Sequence, residues 1–243
     1  MENRFTVSGS VLKWAAVITM AIDHMGAGIL EPYVLNAWGG SPLGDTFLGN
    51  WNEILSVDQI IRYIGRPAFP IFCFLLVQGF IHTHDVKQYA VRLGIFALIS
   101  EIPFDLALHI QPVYWQGQNV FFTLLIGLLA IWFIRAHRDT LPVRMAGLLG
   151  GAVLAEFLHT DYGAFGIALI VLLYLLRGKK ALQCILGAVC CAWEITAPLA
   201  FVLIWFYNGK RGKQPRWFFY WFYPVHLLLY SMIGMYVLPA VFL

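Results

Sequence analysis

Nine runs of apolar residues, at roughly 11–30, 62–82, 88–109, 119–135, 143–159, 162–176, 181–193, 195–207 and 218–242, constrain this chain more than any other feature. As a helix, a crossing of a hydrocarbon core about 30 Å thick takes about 20 apolar residues. Lipid offers the backbone no hydrogen bonds, so only helices and closed barrels cross it, and these runs lack the alternation of barrel strands. Only 12% of the residues are charged, against about 25% in soluble domains. The expected fold class is therefore all-α: a polytopic membrane helix bundle of about nine membrane segments. One integral membrane domain is expected over residues 1–243.

The connections alternate in charge. Lys87 and Arg92 lie in one, Arg135, Arg138 and Arg144 in a second, Arg177, Lys179 and Lys180 in a third, and Lys210, Arg211, Lys213 and Arg216 in a fourth. The positive-inside rule makes these cytoplasmic and, counting back, puts the N-terminus in the cytoplasm. The connections at 111–118, 159–162 and 193–198 carry no Lys or Arg and are expected outside. The same alternation requires 181–207 to go in and come back, as two short helices or a re-entrant hairpin. The long connection 31–61 carries Phe47, Leu48, Trp51, Ile54, Leu55 and Ile61 at near-helical spacing. It reads either as a short surface-lying helix or as an irregular loop anchored by tryptophans.

Several function classes drop out. The net charge is only +3 and the basic residues are scattered, which is not the footprint of a nucleic-acid binder. Cys73, Cys184, Cys190 and Cys191 sit in apolar runs without metal-ligand spacing, so neither a disulfide framework nor a metal site is expected. The first run carries Lys13, Asp23 and His24 and is followed by no small-residue cleavage pattern, and so reads as a retained helix.

Ionisable side chains inside membrane helices are costly and are functional candidates by default. Lys13 and His24 are eleven positions apart, almost three helical turns, which puts them on one face roughly 16 Å apart. A cation at the cytoplasmic mouth and a histidine at depth suit a long donor with an anionic head, such as an acyl-CoA. His24, beside Asp23, would act at the thioester as general base or covalent acyl carrier. The plainer alternative has Lys13 snorkelling to headgroups and His24 bonding a neighbouring helix. His226, in the last run, falls at a comparable depth and is the second catalytic candidate. Arg66 precedes two prolines three apart, in a stretch whose broken helix suits a cavity wall. Glu101 and Asp105, four apart on one helix face, join Glu156, Asp161, Glu194 and His159 toward the outer half. Such a vestibule would attract a cationic acceptor such as an amine; pairing between helices is the alternative. Asn119 and Thr123 read as hydrogen-bond donors to a carbonyl or to a neighbouring helix.

Six blocks in order, residues 12–26 (LKWAAVITMAIDHMG), 66–83 (RPAFPIFCFLLVQGFIHT), 92–107 (RLGIFALISEIPFDLA), 119–125 (NVFFTLL), 160–166 (TDYGAFG) and 220–227 (YWFYPVHL), together resemble the TraX family over nearly the whole chain. That family is named for a conjugation protein that acetylates the N-terminus of F-type pilin. The resemblance implies an acetyl-CoA dependent acyltransferase in the bacterial cytoplasmic (inner) membrane, multi-pass. The acceptor, an amine, peptide or glycan, does not carry over. A more distant likeness, to the acyltransferase-3 superfamily, lies in the basic residue upstream of a first-helix histidine and in the Phe-Pro-Ile-Phe block. The expected site thus has His24, Asp23 and His226 for catalysis and Lys13, Arg92 and Arg135 for coenzyme A. Arg66, Glu101, Asp105, Asn119, Asp161 and Tyr162 would serve the acceptor. The rivals are a proton-coupled transporter or flippase built on the same residues, and a noncatalytic partner that binds a pilin-like helix in the membrane.

Overall fold

The computed structural model describes residues 6–35, 50–137, 140–213, 215 and 217–242. Phe47, Leu48, Arg138 and Arg216, named above, lie outside the described residues. The fold is all-helical, with no strand among the described residues. The helices are α1 (Gly9–Met25), α2 (Trp51–Gly65), α3 (Ala68–His82), α4 (Val86–His109), α5 (Val120–Ala136), α6 (Leu141–Phe157), α7 (Gly163–Leu175), α8 (Lys180–Cys190), α9 (Ala200–Trp205), α10 (Phe218–Met232) and α11 (Leu238–Phe242). A π-helical stretch, Gly26–Val34, continues α1, and another, Ile233–Val237, joins α10 to α11.

Two stretches among the described residues are long and apolar enough to cross a membrane, Trp51–His82 and Phe218–Phe242. The other apolar runs also fold as helices, but these are shorter or carry more charge. α4, at 24 residues, is long enough but contains Lys87, Arg92, Glu101 and Asp105. The helices begin and end on local signals. Ser8 caps α1, and Asp85 caps α4 through the Gln88 amide at 2.9 Å. Asn119 caps α5 through the Phe121 amide at 3.1 Å, the arrangement expected of short polar side chains at a helix start.

The 51–61 stretch is helical, and α2 runs into α3 with only Arg66 and Pro67 between. The surface-helix reading had treated it as a separate element. Pro67 and Pro70 remove two backbone donors, and the Ile71 amide reaches the Pro67 carbonyl at 3.4 Å, but both prolines keep helical dihedrals, so the chain loosens without turning away. The 181–207 stretch forms two short helices that pack on each other, α8 and α9. Gly187 makes that approach possible, because a Cβ there would overlap the ring of Phe201.

Two ends of the bundle are chemically distinct. At one, the Val7 amide donates to the Phe206 carbonyl at 2.9 Å and the Ser10 hydroxyl to the Lys213 carbonyl at 2.7 Å. The Lys180 ammonium donates to the Tyr207 carbonyl there at 3.1 Å, which brings the start of α1 and two of the basic connections together. At the other, the Gln118 amide donates to the His159 carbonyl at 2.9 Å and the Asp161 amide to the Gln118 carbonyl at 2.8 Å. The Thr196 hydroxyl meets the Tyr63 carbonyl there at 2.5 Å. Two of the connections that lack Lys and Arg thus meet each other, and the third packs on α2.

A test of the packing follows from the glycines. Gly187→Ala should cost about 1–3 kcal/mol through overpacking against Phe201. Gly178→Ala, where a Cβ meets nothing within 4 Å, should be near neutral. Thermal unfolding of the two variants in detergent measures the difference.

Candidate active site

The first and last long helices meet through two histidines. His24 Nδ1 lies 2.6 Å from His226 Nε2, with the rings stacked 4.9 Å apart at 14°. His226 Nδ1 lies 2.7 Å from the Phe222 carbonyl, one turn back along α10. A carbonyl only accepts, so Nδ1 of His226 carries the proton and its Nε2 offers a lone pair. In the neutral pair His24 therefore donates from Nδ1 and keeps its own lone pair on Nε2. The tautomers follow from this hydrogen-bond chain. The Tyr230 hydroxyl, one turn beyond His226, donates to the Ala21 carbonyl at 3.1 Å and holds α10 against α1 beside the pair. His226 is buried behind His24, and it is His24 that lines a cavity of ≈ 330 Å³.

Charge is concentrated on that cavity's wall. Arg62 bonds Asp23 at 2.5 Å and Glu31 at 3.1 Å, tying α2 to the end of α1 and to the π-helical stretch after it. Arg66, one turn on, pairs with Glu194 at 3.3 Å. Gly65, between the two arginines, has Asp23 where a Cβ would stand, so a larger residue there would push α2 away from the ion pair. Across the cavity, Tyr162 stacks on Phe69 with ring centroids 3.6 Å apart at 4°. Tyr162 opens α7 at φ 66°, a left-handed conformation uncommon outside glycine. It is held there by flanking contacts: the Thr123 hydroxyl donates to the Asp161 carbonyl, and the Gly163 amide bonds the Thr160 carbonyl at 2.8 Å. Asp161 lines the cavity, and desolvation there pushes its carboxyl up to about 7.

Of the residues nominated from sequence, Asp23, His24, Arg66, Asp161, Tyr162 and Glu194 line this one cavity, with His226 directly behind. The others lie elsewhere. Asn119 donates to Glu101 Oε2 and to the Ala97 carbonyl at 2.8 Å, fastening the start of α5 to α4. Asp105 accepts the Tyr114 amide at 2.7 Å and anchors the connection after α4. Lys13 sits over the Phe219 ring at 5.3 Å and Arg92 over Tyr89 at 6.0 Å. Arg135 stacks on Phe80 at 4.8 Å. None of these six lines the cavity; on α1 its lining reaches Met20, about two turns short of Lys13. Among the described residues, no three His, Cys, Asp or Glu side chains are grouped to hold a metal ion.

Sequence reasoning missed Arg62, Glu31 and Tyr223 as site residues. The signal for Arg62 was present, since it lies four positions before Arg66 and shares its helix face. Glu31 was hidden at the start of the connection 31–61, which read either as a surface-lying helix or as an irregular loop. Tyr223 is one of many aromatic residues in α10, and nothing in its spacing sets it apart.

Comparison with known proteins decides the family. The profile of the family described as "TraX protein" matches residues 8–234. The chain belongs to the TraX family. A relative in Dichelobacter nodosus, described as "Probable fimbrial assembly protein FimC, serogroup H1", is 27% identical over 98% of this TraX-family chain and 100% of its own length. A "Glycerol-3-phosphate acyltransferase" of Streptococcus sanguinis (strain SK36) is 28% identical over 57% of this chain and 68% of its own. No solved structure matches.

The Asp161 environment predicts a pH dependence. The carboxyl ionises in the unfolded chain near its ordinary value of 3.8, but in the folded TraX-family chain only near 7. Folding therefore loses stability as pH rises from about 4 to about 7 and levels off above. Asp161→Asn should remove this component, so the stability of wild type relative to the variant should fall across that window in detergent melts.

Proposed function

We propose that this chain is an integral membrane acyltransferase that moves an acetyl or similar acyl group from cytoplasmic acyl-CoA to an amine or hydroxyl acceptor near the outer face. The observation that carries this reading is the directed histidine pair. The Phe222 carbonyl fixes the proton on His226, His226 fixes the proton on His24, and His24 is left with a free basic nitrogen on a residue that lines the cavity. A base oriented by a second group is the arrangement that activates a nucleophile in acyl transfer. His24 takes the acceptor proton, and His226 positions it.

The surroundings support the division of the site into a donor and an acceptor side. Lys13 and the basic connections lie at one end of the bundle, and the cavity with Asp23, Asp161 and Glu194 at the other. A volume of ≈ 330 Å³ fits the reacting ends of donor and acceptor, and leaves the nucleotide of coenzyme A with the cations at the basic end. Asp23 and Glu194 are paired with Arg62 and Arg66, so it is Asp161 that favours an acceptor that arrives as a cation and reacts as a neutral amine. Segregation of the basic connections supports a nine-segment bundle with a cytoplasmic N-terminus, forming one domain in the bacterial inner membrane. The two relatives bear on different halves of the reading. The one named as an acyltransferase supports the chemistry, and the one named as a fimbrial assembly protein supports a peptide or pilin-like N-terminus as acceptor.

The test is thiol release from acetyl-CoA by the detergent-purified protein, with and without amine and peptide acceptors. His24→Ala should lower the rate about 10²–10⁴-fold, the usual contribution of a general base. His226→Ala should lower it less, because His24 stays in place but loses its fixed tautomer. A His24→Ala protein with full activity removes the catalytic assignment. Uptake of a substrate into vesicles without any acyl donor, abolished by collapsing the proton gradient, favours a transporter instead.

A further inference from the structure

Tyr223 stands between the histidine pair and the start of α5. Its ring meets those of His24 and His226 edge-on at 5.8 Å each, and that of Phe121 at 5.1 Å. It lines the cavity and is 3% exposed. Its hydroxyl finds no acceptor among the described residues, although a buried donor left without a partner is costly. The amide of Val120, the first residue of α5, faces the Tyr223 oxygen, and Val120 also lines the cavity. The capping geometry explains why that amide is available: Asn119 takes the Phe121 amide on its side chain and the Phe122 amide on its carbonyl, at 3.1 and 3.0 Å. The wall beside His24 therefore holds a buried hydroxyl with no acceptor among the described residues, backed by the positive end of a 17-residue helix.

We infer that Tyr223, backed by the α5 N-terminus, is the oxyanion-stabilising donor for the acyl carbonyl. This rests on the acyltransferase reading above and supplies the group that reading lacks. The acceptor nitrogen or oxygen attacks the thioester carbon and gives its proton to His24 Nε2. The carbonyl π pair moves onto the oxygen, and that oxyanion accepts the hydrogen bond from Tyr223. The carbon–oxygen double bond then re-forms, the carbon–sulfur bond breaks with its pair going to sulfur, and the proton held by His24 passes to the leaving thiolate. Amide or ester and free coenzyme A result. A donor shaped for an oxygen that becomes negative only in the transition state lowers the barrier without tightening ground-state binding.

Tyr223→Phe deletes one oxygen and keeps the ring packing. The expected result is a fall in kcat of about 10²–10³-fold, as for loss of one oxyanion donor, with KM for acetyl-CoA little changed and thermal stability unchanged or raised. A trifluoromethyl-ketone thioether of coenzyme A, whose hydrate mimics the tetrahedral oxyanion, should bind wild type more tightly than the variant by a similar factor. Wild-type kcat and wild-type analogue affinity in Tyr223→Phe overturn the assignment and leave the acyltransferase reading standing. Lowered stability with unchanged kcat overturns it in favour of a structural role. A wild-type protein that neither releases thiol nor binds the analogue overturns both readings.

Discussion

Arg62 between Asp23 and Glu31 is the contact on which the rest of the site depends. An arginine cannot be neutralised in a protein interior, and a lone charge among apolar helices is prohibitively costly. Its carboxylates must therefore be supplied by the segment packed on it, here the last turn of α1 and the π-helical stretch that follows. The wide π turn brings Glu31 within reach, and Gly65 lets α2 approach closely enough for the pair to form. With α2 fixed on α1, Arg66 is carried round to Glu194 and His24 is left lining the cavity, with His226 behind it.

Polarity at depth is organised into two separate systems. The ionic one, Arg62, Arg66 and their carboxylates, shapes the cavity and sets its field. The neutral one, His24 donating to His226 and His226 to the Phe222 carbonyl, fixes both ring tautomers through two hydrogen bonds and no carboxylate. Neutral hydrogen-bond chains suit a place poor in water, because they bury no net charge. A backbone carbonyl thus takes the orienting role that an acidic side chain has in a Ser-His-Asp triad, and Asp23, next to His24 in sequence, is committed to Arg62 instead.

Much of the architecture was legible in the sequence. The apolar runs map onto helices because hydrophobic length and flanking caps are local properties, as Ser8, Asp85 and Asn119 illustrate. The expectation that 181–207 is two short helices or a hairpin followed from charge alternation alone, and α8 and α9 fold as two short packed helices. The extent of α2 was less legible, since a stretch rich in tryptophan and glycine gives weak periodicity and its continuity with α3 runs through two prolines. Within the site, Asp23, His24 and Arg66 were nominated because polar residues in apolar runs stand out, Asp161 as an outer-half acid and Tyr162 through the TraX resemblance, yet the first signal also nominated Glu101, Asp105 and Asn119, which fasten helix ends and connections away from the cavity.

The sequence by itself determined that the chain is helical, which connections are basic, and which polar residues had to find partners away from water. It did so because each depends on composition and spacing within one segment. Only the tertiary structure decided which partner each residue took. That His24 faces His226 across 202 positions, that Arg62 stands between two acids, and that the Tyr223 hydroxyl has no acceptor among the described residues beside a helix start are outcomes of how the helices pack. Packing fixes rotation and depth to within a hydrogen bond's length, and no single-segment pattern carries that information.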